Sequence, residues 1–92
     1  MMYRTSDLVG QVTVRVRLFA LARQLAGCDV LEVPIPEPGT VGDVREALGQ
    51  ACPGLAGIVE RVMIAVDSEY ADNATPVTAR SEVACIPPVS GG

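Results

Sequence analysis

The amino-acid sequence predicts an α+β domain in which a mixed sheet of four or five strands carries one main helix on one face. Several segments alternate apolar and polar residues, whereas one long segment repeats apolar residues every three or four positions. A sheet with one apolar face buries it economically against the apolar stripe of such a helix. At 92 residues the chain has the length of one domain. We therefore predict a domain over residues 12–87, an N-terminal extension over 1–11 and a flexible tail over 88–92.

The first two strands are predicted from their alternation. Residues 12–19 have a period of two that ends with Leu18 on the apolar face and Phe19 on the opposite face. One or two helical turns follow at 20–27, ending at a glycine. Residues 29–35 alternate again and run into a proline-rich segment. Because proline cannot donate to a strand ladder, this second strand is expected at an edge of the sheet.

The main helix is predicted from Val41 to the Pro53–Gly54 pair. Apolar residues recur along it at spacings of three and four, and Pro and Gly end it. Thr40 is expected as its N-cap, with Asp43 three residues later completing a capping box.

The remaining strands are predicted at residues 61–67, as a buried strand, and at 81–87, as the last strand. The connector over 68–77 is rich in turn residues and has room for one short strand. In the last strand the alternation puts Glu82, Ala84 and Ile86 on the face opposite Val83 and Cys85, the same side of the sheet as Phe19.

Composition excludes several classes of function. Seven basic residues, all Arg, stand against eleven acidic ones, giving a net charge of −4 and a pI near 4.5. This balance argues against nucleic acid and anionic membranes as partners and favours a basic protein surface. The chain has no histidine, which removes the usual general base and metal ligand. We therefore expect no bound cofactor and no metal site.

Three cysteines, Cys28, Cys52 and Cys85, are widely spaced and form no Cys-x-x-Cys pair. This pattern favours small buried apolar residues in a reducing compartment over a disulfide or a metal site. No run of about 20 apolar residues and no signal peptide is found, so a cytoplasmic location is expected.

The last segment, "CIPPVSGG" at 85–92, points to the tail as the functional site. Pro87 and Pro88 fix two φ angles and favour an extended exit from the last strand. Gly91 and Gly92 lack a Cβ, so they fit a narrow cleft and leave the terminal carbonyl carbon open to attack. A carboxylate becomes reactive once it carries a good leaving group, which acyl-adenylation by ATP supplies.

Four segments together resemble the ubiquitin-like sulfur-carrier family that includes the small subunit of molybdopterin synthase. They are "RLFALARQLAG", "PGTVGDVREAL", "MIAVDSEYAD" and "SEVACIPPVSGG". The resemblance covers residues 12–92, and its most specific parts are the closing Pro-Pro-Val-Ser-Gly-Gly and a Phe-Ala-x-x-Arg-x-x-x-Gly segment that contains Phe19 and Arg23.

The resemblance implies the β-grasp fold and a mechanism. Gly92 would be adenylated by an E1-like, ATP-using enzyme and then converted to a thiocarboxylate, with Gly91 as its slender companion. The tail would then donate sulfur to cyclic pyranopterin monophosphate inside the large subunit of molybdopterin synthase. The chain would be a sulfur donor rather than an enzyme on its own.

The family also docks its partners through an apolar patch on the open face of the sheet. The partner-binding residues expected here are Phe19, Tyr70, Ile86, Pro87, Pro88, Val89 and Ser90. Arg23 is expected to hold its loop through hydrogen bonds to carbonyls, and Arg15 and Arg17 to form a solvated strand face that could steer association.

Two departures from the family pattern concern turns. Asp67 stands where relatives often have Asn, and the turn before the last strand reads "VTARSE" without a glycine. Two other interpretations stay open: a β-grasp sulfur carrier for another pathway, such as thiamine, cysteine or another thio-metabolite, and a protein-binding module whose tail is never activated.

Overall fold

The computed structural model describes residues 10–88, and the predictions for residues 1–9 and for the tail at 89–92 lie outside that range. Within it the elements keep the predicted order, with additional short strands between them. They are β1 (Gln11–Leu18), α1 (Ala20–Ala26), β2 (Val30–Pro36), β3 (Gly39–Thr40), α2 (Val41–Ala51), a 3-10 turn (Pro53–Leu55), β4 (Met63–Val66), β5 (Glu69–Ala71), β6 (Pro76–Val77) and β7 (Val83–Ile86).

Five of the strands form one mixed sheet in the order β2-β1-β7-β4-β5, and β3 pairs with β6 in a separate two-stranded sheet. β1 and β7 are parallel, whereas β2 with β1, β4 with β7 and β5 with β4 are antiparallel. The predicted α+β class and the edge position of β2 are confirmed. The last strand, β7, lies at the centre of the sheet with a hydrogen-bonded neighbour on each side.

One face of the sheet and α2 enclose the core. Thr40 caps α2 as predicted: its hydroxyl accepts a hydrogen bond from the Asp43 N–H at 3.4 Å, and the Asp43 carboxylate accepts one from the Thr40 N–H at 2.9 Å. The core side chains are aliphatic or small, as the scarcity of aromatic residues predicts. They include Val14, Val16, Leu18, Val33, Ile35, Val41, Val44, Leu48, Leu55, Ile64, Val83 and Cys85.

Two predicted strands are shorter in the structure. β4 begins at Met63, not at residue 61; Met63 is 45% exposed, whereas the next two residues of the strand, Ile64 and Ala65, are buried. The last strand begins at Val83 because a turn comes first: the Ser81 N–H donates to the Thr78 carbonyl at 3.1 Å and the Ser81 hydroxyl accepts from the Thr78 N–H at 3.0 Å. Hydroxyl bonds therefore stabilise this glycine-free turn.

The connector differs most from its prediction. It holds two short strands, β5 and β6, and β6 pairs with β3, a strand that the sequence analysis did not predict. Gly39 in β3 permits this because a Cβ there would lie 2.5 Å from the Pro36 carbonyl oxygen. No helix within residues 10–88 is long and apolar enough to cross a membrane.

Candidate functional site

The outer face of the sheet, opposite α2, carries a row of side chains that crosses four strands. Arg17 in β1 lies opposite Ala84 in β7, Ala84 lies opposite Ala65 in β4, and Ala65 lies opposite Tyr70 in β5. Directly paired residues share a face of the sheet. The two alanines therefore form a low floor between Arg17 and Tyr70.

A second row is more apolar and lies nearer the end at which β7 finishes. Ile86 pairs with Met63. Phe19 follows β1 directly, and its N–H donates to the Cys85 carbonyl at 3.2 Å, which places it beside Ile86. Phe19 is 40% and Tyr70 is 67% exposed, whereas Ile86 is half-buried.

These two rows enclose a shallow hollow of about 380 Å³, which we call the outer depression. Phe19, Tyr70 and Ile86 are brought together in it, as the strand phases and the family resemblance predict. Partner binding by these side chains stays a prediction. The full lining is Arg17, Phe19, Ala65, Ser68, Tyr70, Glu82, Val83, Ala84 and Ile86.

Half of the alanine floor was predicted from the sequence. The alternation of the last strand places Ala84 with Ile86 on the face opposite Cys85, and the pairing of β4 with β7 agrees with that face. Ala65 gave no such signal, because it belongs to the apolar run "MIAV", in which both faces look equally apolar. The register of β4 against β7 is what assigns Ala65 to the outer face.

Local backbone conformation places Phe19 on this face. Phe19 is the extended residue before α1, with φ −123° and ψ 154°, and Ala20 then takes a left-handed φ of 51°. Gly27 caps the C-terminus of α1; it is also left-handed, at φ 77°, and its N–H donates to the Arg23 carbonyl at 2.9 Å. The sharp turn at Ala20 lets the chain leave the sheet while Phe19 stays beside β7.

The β4–β5 hairpin places Tyr70. Asp67 and Ser68 form its two-residue loop and both have positive φ, 52° and 73°, as primed hairpin turns require. The Asp67 carboxylate accepts a hydrogen bond from the Glu82 N–H at 2.9 Å, and the Asp67 N–H donates to the Glu82 carbonyl at 2.8 Å. Asp67 thus takes a left-handed turn position and ties the hairpin to the start of β7.

The tail leaves the fold beside Phe19. β7 ends at Ile86, after which Pro87 is buried and Pro88 is exposed. The burial of Pro87 agrees with its place at the end of the predicted domain, and its contact with a partner stays a prediction. The predicted site residues Val89, Ser90, Gly91 and Gly92 lie outside the described residues.

Arginines border the outer face. Arg15 lies 3.7 Å from the Glu32 carboxylate, and both side chains are largely exposed. The Arg17 guanidinium lies 5.6 Å from the centre of the Phe19 ring, within cation–π range. Arg23 was expected to bond loop carbonyls, but within residues 10–88 its side chain makes no hydrogen bond, because it extends into solvent from the last turn of α1.

The cysteines offer no reactive centre on this face. All three are free; Cys85 is buried, and Cys28 and Cys52 are half-buried. Burial raises the pKa of the Cys85 thiol from 9.0 to about 11, against an opposing effect of the Arg45 guanidinium. Within residues 10–88, no group of three His, Cys, Asp or Glu side chains is arranged to hold a metal ion.

Comparison with known proteins gives consistent matches over most of the chain. The ThiS family model matches residues 16–92. The chain is 36% identical over 87 residues to the molybdopterin synthase sulfur carrier subunit of Arabidopsis thaliana, covering 95% of this chain and 91% of that protein. It is 32% identical over 83 residues to the subunit of the same name from Caenorhabditis elegans, covering 88% of this chain and 99% of that protein.

A solved structure has the same fold. SAMP1 from Haloferax volcanii, a small archaeal modifier protein, superposes with a TM-score of 0.77 at 29% identity. The superposition covers 88% of this chain and all of SAMP1.

Proposed function

Because this chain belongs to the ThiS family, we propose that it is the sulfur carrier subunit of a molybdopterin synthase and acts in molybdenum cofactor biosynthesis. The observation that carries the proposal is the 36% identity over 95% of the chain to a relative of that name. The family match also runs through to Gly92, so it includes the glycine pair. The fold also supports this function, because the strand that leads into the tail is the central strand of the five-stranded sheet and is paired on both sides.

The proposed chemistry takes place at the Gly92 carboxyl group. A carboxylate oxygen attacks the α-phosphorus of ATP on an E1-like activating enzyme, pyrophosphate leaves, and an acyl-adenylate forms. A sulfide-level nucleophile then attacks the acyl carbon and AMP leaves, giving a thiocarboxylate. In the large synthase subunit this sulfur forms a C–S bond to a side-chain carbon of cyclic pyranopterin monophosphate as an oxygen group on that carbon leaves, and water then cleaves the acyl–sulfur bond to restore the carboxylate. Two such rounds supply the two sulfurs of the dithiolene.

In this mechanism the folded body presents the tail and catalyses no step itself. Hydrogen bonds from both β1 and β4 fix β7, which ends at Ile86, two residues before Pro88. The outer depression lies next to that end of β7, with Phe19 and Ile86 nearest to it. A partner that encloses the tail would therefore also cover this depression and gain apolar contact area. Free cysteines agree with the reducing cytoplasm, in which we place the protein.

Reconstitution of the reaction tests the proposal. Cleavage of an intein fusion with sulfide gives the chain with a C-terminal thiocarboxylate. This protein is mixed with the large subunit and cyclic pyranopterin monophosphate. We expect dithiolene product at two thiocarboxylates per pterin. The matched control ends in a thiocarboxylate on Gly91 after deletion of Gly92 and should give little product. Equal yields from the two proteins, or none from either, would contradict the proposal.

The similarity to SAMP1 supports a second function, in which the same activated carboxyl group joins the chain to amino groups of other proteins. Both functions need Gly92, so deletion of Gly92 alone does not separate them. Expression of an affinity-tagged chain in a strain of the same organism that lacks the chromosomal copy does separate them. A sulfur carrier restores molybdenum cofactor without covalent adducts, whereas a modifier yields tagged adducts that survive denaturation and reduction.

A further inference from the structure

We propose that Arg17 determines which partner docks on the outer face, by binding a carboxylate side chain of that partner at the edge of the outer depression. The inference rests on the proposed function, because it requires that a partner cover this face. It goes beyond that function by adding a polar contact, made by Arg17, to the apolar contacts expected from Phe19, Tyr70 and Ile86.

Arg17 occupies the border between two hollows. It lines the outer depression and also a neighbouring groove of about 370 Å³. That groove is lined by Arg15, Arg17, Val30, Ala79, Ser81, Glu82 and Val83. A segment that fills the outer depression beside Phe19 therefore also meets the Arg17 guanidinium.

The Arg17 guanidinium is oriented but has no anionic partner within the domain. Among residues 10–88, no carboxylate oxygen lies within 4.0 Å of it, whereas the neighbouring Arg15 is paired with Glu32 at 3.7 Å. The Phe19 ring holds the Arg17 group at 5.6 Å from its centre. Stacking on an aromatic ring leaves the N–H donors at the guanidinium edge free for hydrogen bonds.

Docking would remove this guanidinium from water. A buried cation without a hydrogen-bonded counter-charge is strongly unfavourable, so a partner that covers Phe19 and Tyr70 must supply an acceptor to Arg17 or bind weakly. A carboxylate matches the planar guanidinium with two parallel hydrogen bonds. Since the whole chain carries a net charge of −4, the partner surface expected here is basic overall with one carboxylate facing Arg17.

Glu82 makes it possible to test the sign of the charge effect on affinity. It lines both hollows and lies one residue before the pairing of Val16 with Val83, on the same side of the sheet as Arg17. Its carboxylate would repel a partner carboxylate at this place. Removing the charge of Glu82 should therefore preserve or strengthen the docking that removing the charge of Arg17 weakens.

The experiment measures binding to the large molybdopterin synthase subunit from the same organism, by titration calorimetry and by stopped-flow kinetics at low and high salt. Arg17→Glu should weaken binding by about tenfold or more at low salt, with a smaller loss at high salt. Arg61→Glu is the matched control, because it makes the same charge change at an exposed site outside both hollows and should alter affinity by less than about twofold. Glu82→Gln should bind at least as tightly as the unaltered chain.

Equal losses for Arg17→Glu and Arg61→Glu would overturn the inference, as would unchanged affinity for Arg17→Glu. Phe19→Ala separates this failure from failure of the docking model. If Phe19→Ala weakens binding and Arg17→Glu does not, the outer face is the interface and only the role of Arg17 is wrong. If neither weakens binding, both the docking face and the role of Arg17 are wrong. Thermal unfolding of each variant verifies that the fold is intact.

Discussion

The two faces of the five-stranded sheet are built from the same strands but carry opposite chemistry. On the inner face, Val16, Ile64 and Cys85 are at most 1% exposed and pack under α2. On the outer face, Arg17 and Tyr70 stand in solvent above a floor of alanine. Strand alternation therefore places the residues that stabilise the fold on one face and leaves charged and aromatic side chains exposed on the other.

The largest expected effect comes from truncating neighbouring residues on opposite faces of β4. Ile64→Ala should lower the free energy of unfolding by about 3 kcal/mol, because it leaves a cavity in a fully buried site. Met63→Ala, one residue earlier and 45% exposed, should lower it by less than about 1 kcal/mol. Urea denaturation followed by circular dichroism measures both. Similar losses for the two variants would mean that the faces are not distinct in stability.

The next effect concerns binding by the outer face. Phe19→Ala should weaken association with the large synthase subunit by about 2 kcal/mol, the range of an aromatic side chain at the centre of an interface. It should cost less in folding stability than Ile64→Ala does, because Phe19 is 40% exposed. Titration calorimetry measures the affinity, and urea denaturation measures the free energy of unfolding. A variant that loses stability but keeps its affinity would show that Phe19 belongs to the core and not to a docking face.

A pH titration tests the inner face through Cys85. Burial raises the pKa of its thiol to about 11 from an ordinary 9.0, so the folded chain holds this proton more tightly than the unfolded chain does. The contribution of this group to stability is therefore constant below about pH 8 and decreases above pH 9, by up to about 1.4 kcal/mol per pH unit. Cys85→Ala is the control: the stability difference between the two proteins should narrow as the pH rises from 9 to 11. A constant difference would mean that the thiol is not shielded from water.

The smallest effect lies in the turn that places Tyr70. Ser68 holds a φ of 73°, which glycine adopts without strain. Ser68→Gly completes the favoured Asp-Gly hairpin pair and should raise the free energy of unfolding by about 0.5 kcal/mol. Differential scanning calorimetry measures the change. A decrease would indicate that the Ser68 side chain makes a contact that outweighs the backbone strain.

The sequence was sufficient to predict the elements that depend on local signals. The alternation of β1, the capping box at Thr40 and the edge position of β2 follow from neighbouring residues and are confirmed. Contacts between distant segments were not predictable in this way. Arg45 shows why: its guanidinium donates to the Val59 and Val62 carbonyls at 2.6 and 2.8 Å, 14 and 17 residues away.

The residues of the candidate site fall into the same two groups: some follow from local sequence patterns, and others depend on contacts between distant segments. Phe19 and Ile86 were placed on one face by their strand phases alone. Tyr70 came only from the family resemblance, because its strand has three residues and is too short for a period of two to be recognised. Arg17 was interpreted as part of a solvated face, since its position between two hollows depends on the pairing of β1 with β7.

Mass spectrometry of the C-terminal peptide tests the central proposal most directly. The chain is purified, without a tag at its C-terminus, from cells of the same organism that contain the activating enzyme and lack the large synthase subunit. We predict a population in which the Gly92 carboxyl has exchanged one oxygen for sulfur, and we predict that deletion of the activating enzyme abolishes it. The large subunit is absent so that thiocarboxylate accumulates. If every molecule then carries an unmodified carboxylate on Gly92 although the activating enzyme is present, the proposed function is contradicted.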